Sequence, residues 1–227
     1  MTFRCGLLLF PELTQLDLTG PYEVLPRAPG VEVLLVARTM EPVTAQWGMR
    51  ILPDTDFANC PPLDLLLVPG GFGVDEAMLD QETIAFVRRT ATEARYIVSV
   101  CTGALILGAA GLLRGRRAAT HWAFRDLLKE FGATPSRERV VRDGNLFTGG
   151  GVTAGIDVAL TILAEVFDAN VAQSAQLSVE YAPCPPFGAG TPETAPGPVA
   201  EAVAARYATG VARTAERVRA AAQRLAN

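Results

Sequence analysis

Cys101 stands where a β-branched run gives way to small and apolar residues, in Val98-Ser99-Val100-Cys101-Thr102-Gly103-Ala104-Leu105-Ile106-Leu107. The first half favours a strand and the second a helix, so the thiol is expected at a strand-to-helix corner. Such a corner lifts the side chain off the sheet edge and aims it at the first N–H groups of the helix, where the dipole favours an anion. The expectation is a thiolate, the nucleophilic form of cysteine. An arbitrary cysteine is more often a buried, inert apolar residue. The corner is what separates this one from Cys5, Cys60 and Cys184.

A cysteine nucleophile needs a proton-transfer partner, donors for developing negative charge, and a pocket. Asp17, in Gln15-Leu16-Asp17-Leu18-Thr19-Gly20-Pro21, follows the first predicted strand and in a parallel sheet reaches the same crevice as Cys101. It reads equally well as the N-cap of a helix starting near Pro21. Burial beside the sulfur would raise its pKa and let it carry a proton near neutral pH. Val68-Pro69-Gly70-Gly71-Phe72-Gly73 follows another strand and brings the backbone of Gly70 and Gly71 to that edge. The N–H groups of Gly71 and Thr102 would form an oxyanion-type pair, although Pro-Gly-Gly taken alone is a turn. The Thr102 hydroxyl reads as a substrate contact, as an orienting group for Asp17 or as a helix cap. His121, the only histidine, is expected near the crevice in Ala119-Thr120-His121-Trp122. A Cys-His dyad ranks below Asp17, because buried imidazoles satisfied by backbone are common.

The glycine run Gly149–Gly155 superficially matches a dinucleotide fingerprint, but it comes late and follows a hairpin rather than the first strand. Close approach of backbone to a pocket is the better reading, with Gly150, like His121, set behind the reacting groups.

These groups must be held by a scaffold. Arg4–Phe10, Val31–Ala37, Leu63–Val68 and Tyr96–Val100 read as strands, and Gln81–Ala94 as a surface helix between two of them. Uninterrupted apolar strands alternating with helices predict an α/β sandwich around a mostly parallel sheet. Val43–Pro53 and Arg139–Thr148 read as excursions from that sheet, the second with a type I′ turn at Asp143-Gly144. Residues 156–167 and 168–181 read as helices, and the Pro-rich stretch 182–198 as an ordered crossover. In the final helix Val199, Val203, Tyr207, Val211, Val218, Ala222 and Leu225 form a stripe opposite Arg206, Arg213 and Arg217. That stripe must meet either its own body or a second subunit. A homodimer is expected, with part of residues 182–227 in its interface or in a nearby pocket wall.

With 227 residues, 49% hydrophobic and 19% charged, the chain suits one domain over residues 1–227. A net charge of -4 without a Lys/Arg block leaves no footprint for nucleic acid or anionic membrane, and points to a small-molecule partner. No secretory signal and no membrane-spanning run are visible, so cytoplasmic residence is expected. Four widely spaced cysteines read as free thiols, and one histidine without a C-x-x-C pair gives no zinc site.

The pattern Phe10-Pro11, Leu16-Asp17-Leu18-Thr19-Gly20-Pro21, Val68-Pro69-Gly70-Gly71, Val100-Cys101-Thr102-Gly103-Ala104, Thr120-His121-Trp122 and Glu180-Tyr181-Ala182-Pro183 resembles the DJ-1/PfpI superfamily. Within it the likeness is to the isocyanide (isonitrile) hydratase branch, and it runs along nearly the whole chain. The resemblance implies a flavodoxin-like three-layer sandwich with a cysteine nucleophile elbow, commonly a homodimer. It further implies a hydro-lyase without a cofactor that converts an isocyanide and water to an N-substituted formamide. Cys101 would form a thioimidate, Asp17 would serve as general acid and base, and Thr102 and Gly71 would hold charge or water. Protease-like and glutaminase-like relatives carry histidine where this chain has Thr102, and DJ-1-like members carry glutamate where it offers Asp17. Both departures weigh against amidase, peptidase and redox-sensor roles. Two alternatives stay open: a non-catalytic sensing module like those of AraC-type regulators, and a DJ-1-like stress or carbonyl-detoxifying protein. The regulators continue into a DNA-binding domain of roughly a hundred residues, whereas one helix follows the Pro-rich stretch here.

Overall fold

Leu65–Val68 carries four apolar residues in succession and is buried along its whole length, as a strand covered on both faces must be. In the computed structural model, which describes residues 2–226, it is the strand β6. Before it come β1 (Phe3–Leu8), α1 (Gln15–Val24), β2 (Val31–Ala37), the hairpin β3 (Val43–Thr44) and β4 (Arg50–Ile51), and β5 (Thr55–Asp56). After it come α2 (Val74–Ala77), α3 (Gln81–Glu93), β7 (Tyr96–Val100), α4 (Gly103–Ala109), β8 (Arg117–Ala118), a 3-10 helix (Trp122–Phe131) and β9 (Thr134–Pro135). The chain finishes with β10 (Val140–Asp143), β11 (Leu146–Gly149), α5 (Ala154–Val166), α6 (Ala169–Ser178) and α7 (Gly197–Ala226).

Seven strands form one sheet in the order β10-β11-β7-β6-β1-β2-β5, parallel throughout except where β10 meets β11. Helices α1, α5 and α6 pack together on one face, and α2, α3, α4, α7 and the 3-10 helix on the other. The result is the expected three-layer α/β sandwich. From β1 the chain first builds outward through β2 and β5, then crosses back to lay β6, β7 and β11 on the other side. Strand order therefore reverses between β1 and β6, and the carboxyl ends of β1, β6 and β7 open into the crevice that such a reversal creates. Asp17, Gly70 and Cys101 follow those three strands.

Several elements differ from the sequence reading. β1 ends at Leu8 rather than Phe10; Leu9 N–H still reaches the Val36 carbonyl at 2.7 Å, and Pro11 has no N–H to continue the ladder. Residues 139–148 are no excursion: β11 lies in register beside β7, and β10 is the antiparallel edge of the main sheet. The hairpin turn falls on Gly144-Asn145, with positive φ at Gly144 alone (62°), the II′ pattern rather than I′ at Asp143-Gly144. Arg117–Ala118 lies outside the main sheet and pairs with β9 in a separate two-stranded ribbon.

The terminal helix is covered mainly by its own chain. Val218 and Ala221 are buried, and the buried carboxylate of Asp75 accepts hydrogen bonds from Thr214 Oγ1 (2.6 Å) and Arg213 Nε (2.7 Å). Arg217 reaches Glu76 at 3.1 Å. Arg213 and Arg217 therefore flank the buried face instead of lying opposite it, and of the stripe Tyr207, Val211, Ala222 and Leu225 pack half-buried against the chain's own core beside Val218. Val199 remains half-exposed. Among the described residues no helix is long and apolar enough to cross a membrane, no cluster of His, Cys, Asp or Glu suits a metal ion, and all four cysteines are free thiols.

Candidate active site

Cys101 adopts φ +56°, a left-handed conformation that few non-glycine residues take. Its neighbours hold it there from both sides. Its N–H donates to the carbonyls of Gly149 (3.1 Å) and Gly150 (2.8 Å), and its own carbonyl accepts from Thr120 Oγ1 (2.8 Å). The corner expected from sequence is thus a strained elbow over-determined by β11 and by the segment after β8. Gly150 contributes a backbone carbonyl to it.

Asp17 is fully buried in the first turn of α1. It is not an N-cap: the helix starts at Gln15 after Thr14 and continues through Pro21. One carboxyl oxygen, Oδ2, accepts the Gly70 N–H at 2.8 Å. The Cys101 thiol and the same carboxyl lie close enough to shift each other's pKa. The other oxygen, Oδ1, is buried with no further partner among the described residues, which leaves it open to take up or release a proton.

Burial pushes Asp17 up to about 7, with the Gly70 N–H and the Cys101 thiol pulling against it. Burial also pushes Cys101 well above the ordinary thiol range, and the Asp17 charge adds to that rise; hydrogen bonds from Thr102 oppose it. Burial therefore works against the thiolate that the helix N-terminus favours. α4 is seven residues long, and its terminal N–H groups do not offset the loss of hydration. Two negative charges cannot share this buried site, so the pair carries at least one proton at neutral pH.

The Thr102 hydroxyl does not cap α4. It accepts the Gly71 N–H at 3.0 Å, so the donor expected to join Thr102 N–H in an oxyanion pair is engaged. Gly70 has no room for a side chain: a Cβ there would lie 2.5 Å from Thr102 N and 2.9 Å from Asp17 Oδ2. Gly70→Ala is expected to push Asp17 and Thr102 apart and lower kcat/KM by about a hundredfold, as misplacing reacting groups by an ångström does. Steady-state kinetics beside a far-ultraviolet circular dichroism spectrum checks this: wild-type kcat/KM in a folded Gly70→Ala protein contradicts the packing argument.

His121 lines the same cavity as Cys101. Its Nδ1 accepts the Ala123 N–H at 3.3 Å at the start of the 3-10 helix. Burial and the nearby Arg125 push its pKa down to about 4, so it is neutral at pH 7. Its ring packs among Trp122, Phe124 and Tyr207, with centroids 5.1 to 5.9 Å away.

The cavity over Cys101 is about 340 Å³, and a second of about 580 Å³ shares Trp47, Phe72, Phe124 and Tyr207 with it. None of these four aromatics stood out as a site residue in the sequence. Tyr207 carried a signal only as part of the helical stripe, and Trp47 only as a residue within the excursion Val43–Pro53. What brings them together is the docking of α7 and of the β3–β4 hairpin at the crevice, which no local pattern specifies.

The family model described as DJ-1/PfpI family matches residues 4–165. A protein named isonitrile hydratase, from Pseudomonas putida, is 55% identical over 208 residues, covering 92% of this chain and 91% of that protein. The HTH-type transcriptional regulator GbdR of Pseudomonas aeruginosa (strain UCBPP-PA14) is 33% identical over 53% of this chain, but the match spans 33% of the regulator. The crystal structure of a ThiJ/PfpI family protein from Pseudomonas syringae superposes with a TM-score of 0.94 at 43% identity, over 96% of this chain and 91% of that one. The matched region carries β1, β6 and β7 with the three groups at their ends, and on these grounds the chain belongs to the DJ-1/PfpI family.

Proposed function

We propose that this protein is an isocyanide hydratase, adding water to R–N≡C to give the formamide R–NH–CHO without a cofactor. The observation that carries the reading is the buried pairing of the Cys101 thiol, at the end of β7, with Asp17, a carboxyl that burial raises to about 7. The likeness to the Pseudomonas putida isonitrile hydratase supports the same reaction class.

Asp17 takes the thiol proton as sulfur bonds to the terminal isocyanide carbon, then delivers that proton to the same carbon. The product is the thioimidate Cys101–S–CH=N–R. Asp17 next takes a proton from water as the hydroxide bonds to this carbon, and the proton passes to nitrogen. The tetrahedral adduct S–CH(OH)–NH–R then breaks its C–S bond. Its hydroxyl proton returns through Asp17 to sulfur, releasing the formamide and restoring the thiol. One carboxyl acts alternately as base and acid, for which a pKa near the working pH is suited. Thr102 N–H steadies charge on sulfur, and the Thr102 hydroxyl, fixed by Gly71 N–H, is available to position the water.

A second reading, a sensing module that binds without turnover, draws on the match to the Pseudomonas aeruginosa regulator. Incubation with a panel of alkyl and aryl isocyanides, followed by chromatography and mass spectrometry, separates the two. Formamide appearing in step with isocyanide loss is expected. Saturable binding without formamide from any member of the panel replaces the hydratase with the sensor.

A further inference from the structure

Beyond the chamber holding Cys101 lies the larger cavity of about 580 Å³, and the two share a wall. That volume alone falls in the range, about 300–1,000 Å³, of sites that hold drug-sized molecules. A small alkyl isocyanide leaves it empty. Its surface is built mainly of aromatic and apolar side chains: Trp47, Phe72, Phe124, Val203 and Tyr207.

Trp47 is 92% exposed and Phe72 is 52% exposed. Neither ring dangles from a loose loop. Trp47 takes φ +65°, an unusual conformation for a bulky residue. The turn is pinned by Gln46 N–H to the Leu13 carbonyl (2.9 Å) and by Thr14 Oγ1 to Gln46 Oε1 (3.1 Å). A strained turn that presents an indole at the lip of a cavity is set up to bury it against a ligand.

Three charged side chains line the cavity: Asp75, Arg206 and Arg213. Asp75 and Arg213 neutralise each other at 2.7 Å. Arg206 has no carboxylate within 4.0 Å among the described residues. The chamber thus presents one uncompensated guanidinium, in a chain whose net charge is -4. A guanidinium matches a carboxylate with two parallel hydrogen bonds.

We infer that the preferred substrates carry an aromatic body and a terminal anionic group, with the ring in the Trp47–Phe72–Tyr207 chamber and the anion on Arg206. This rests on the hydratase reading and adds the substrate class. The test compares para-isocyanobenzoate with its neutral methyl ester in wild-type, Arg206→Gln and Arg206→Lys proteins, reading the ratio of the two kcat/KM values. The wild-type ratio is expected to favour the carboxylate by about fivefold, the scale of an exposed ion pair. It should shrink as salt is raised, collapse in Arg206→Gln and survive in part in Arg206→Lys. A wild-type ratio at or below one, or a ratio unchanged in Arg206→Gln, overturns the inference while formamide production keeps the hydratase. Should neither compound yield formamide, the hydratase reading is decided by the wider alkyl and aryl panel, and tryptophan fluorescence titration decides the inference. Tighter binding of the carboxylate that is lost in Arg206→Gln supports it, and equal binding of acid and ester overturns it.

Discussion

Cys101→Ala is expected to abolish formamide production, while Cys5→Ala, Cys60→Ala and Cys184→Ala should retain it. The four thiols differ in place, and place decides their chemistry. Cys5 is buried in β1, where burial and Asp64 push its pKa up to about 12. Cys60 is half-buried and raised by burial, and Cys184 lies exposed on the Pro-rich crossover. Only Cys101 sits at a strand end, beside a carboxyl that can take its proton, in a cavity open to a ligand. The alanine protein should keep its fold, because the bonds that hold the elbow are made by the backbone of residue 101. Intact-mass measurement of the wild type during turnover should find the isocyanide mass added at Cys101. Turnover by a folded Cys101→Ala protein near the wild-type rate removes the covalent mechanism.

Asp17→Asn should lower kcat/KM by about two to four orders of magnitude, the scale of a positioned proton-transfer group, while His121→Gln costs far less. The pH profile adds a sharper criterion. In the wild type kcat/KM should rise with pH through about 7, as Asp17 becomes able to accept the thiol proton, and this rise should be absent in Asp17→Asn. The same shift bears on stability. Asp17 moves from an ordinary value of 3.8 to about 7 in the folded protein, so between those values the native state holds a proton that the unfolded chain has released. Stability contributed by this group is therefore lost as pH rises through that window. His121, lowered from 6.5 to about 4, runs the other way: its native ring is neutral where the unfolded one is charged, so its contribution grows with pH. Comparing melting temperatures of Asp17→Asn and wild type isolates the carboxyl, and the variant should gain on the wild type between pH 4 and 7. A larger kinetic loss in His121→Gln than in Asp17→Asn, both folded, shifts proton transfer to the imidazole.

The sheet was legible because its strands are written as short apolar blocks. Val31–Ala37 and Tyr96–Val100 have the boundaries read from sequence, since both end at polar residues or at the elbow. The convergence of Asp17, Gly70 and Cys101 on one crevice was legible for the same reason, as parallel strands deliver their carboxyl ends to one edge. Residues 139–148 were misplaced because hairpin signals report that two strands pair and say nothing about the third, and β11 finds β7 across more than forty residues of sequence. The burial that raises Cys101 was not legible, because helix ends are visible in sequence whereas desolvation depends on everything packed around the sulfur. Arg213 and Arg217 were assigned to the outer face of α7 because their partners, Asp75 and Glu76, lie in a distant part of the chain.

The clasp between Thr214 and Asp75 spans 139 residues, which sets an order of events during synthesis. The sheet through β11 and the elbow can assemble as soon as Gly149 has emerged, but the wall carrying Tyr207 must wait for α7. At about 5–20 residues per second, the roughly 65 residues from Gly149 to Thr214 take several seconds to make. Throughout that interval the chamber over Cys101 lacks its Tyr207 wall, so the newborn chain is the form most open to oxidants and thiol reagents, and docking of the last helix ends that vulnerability.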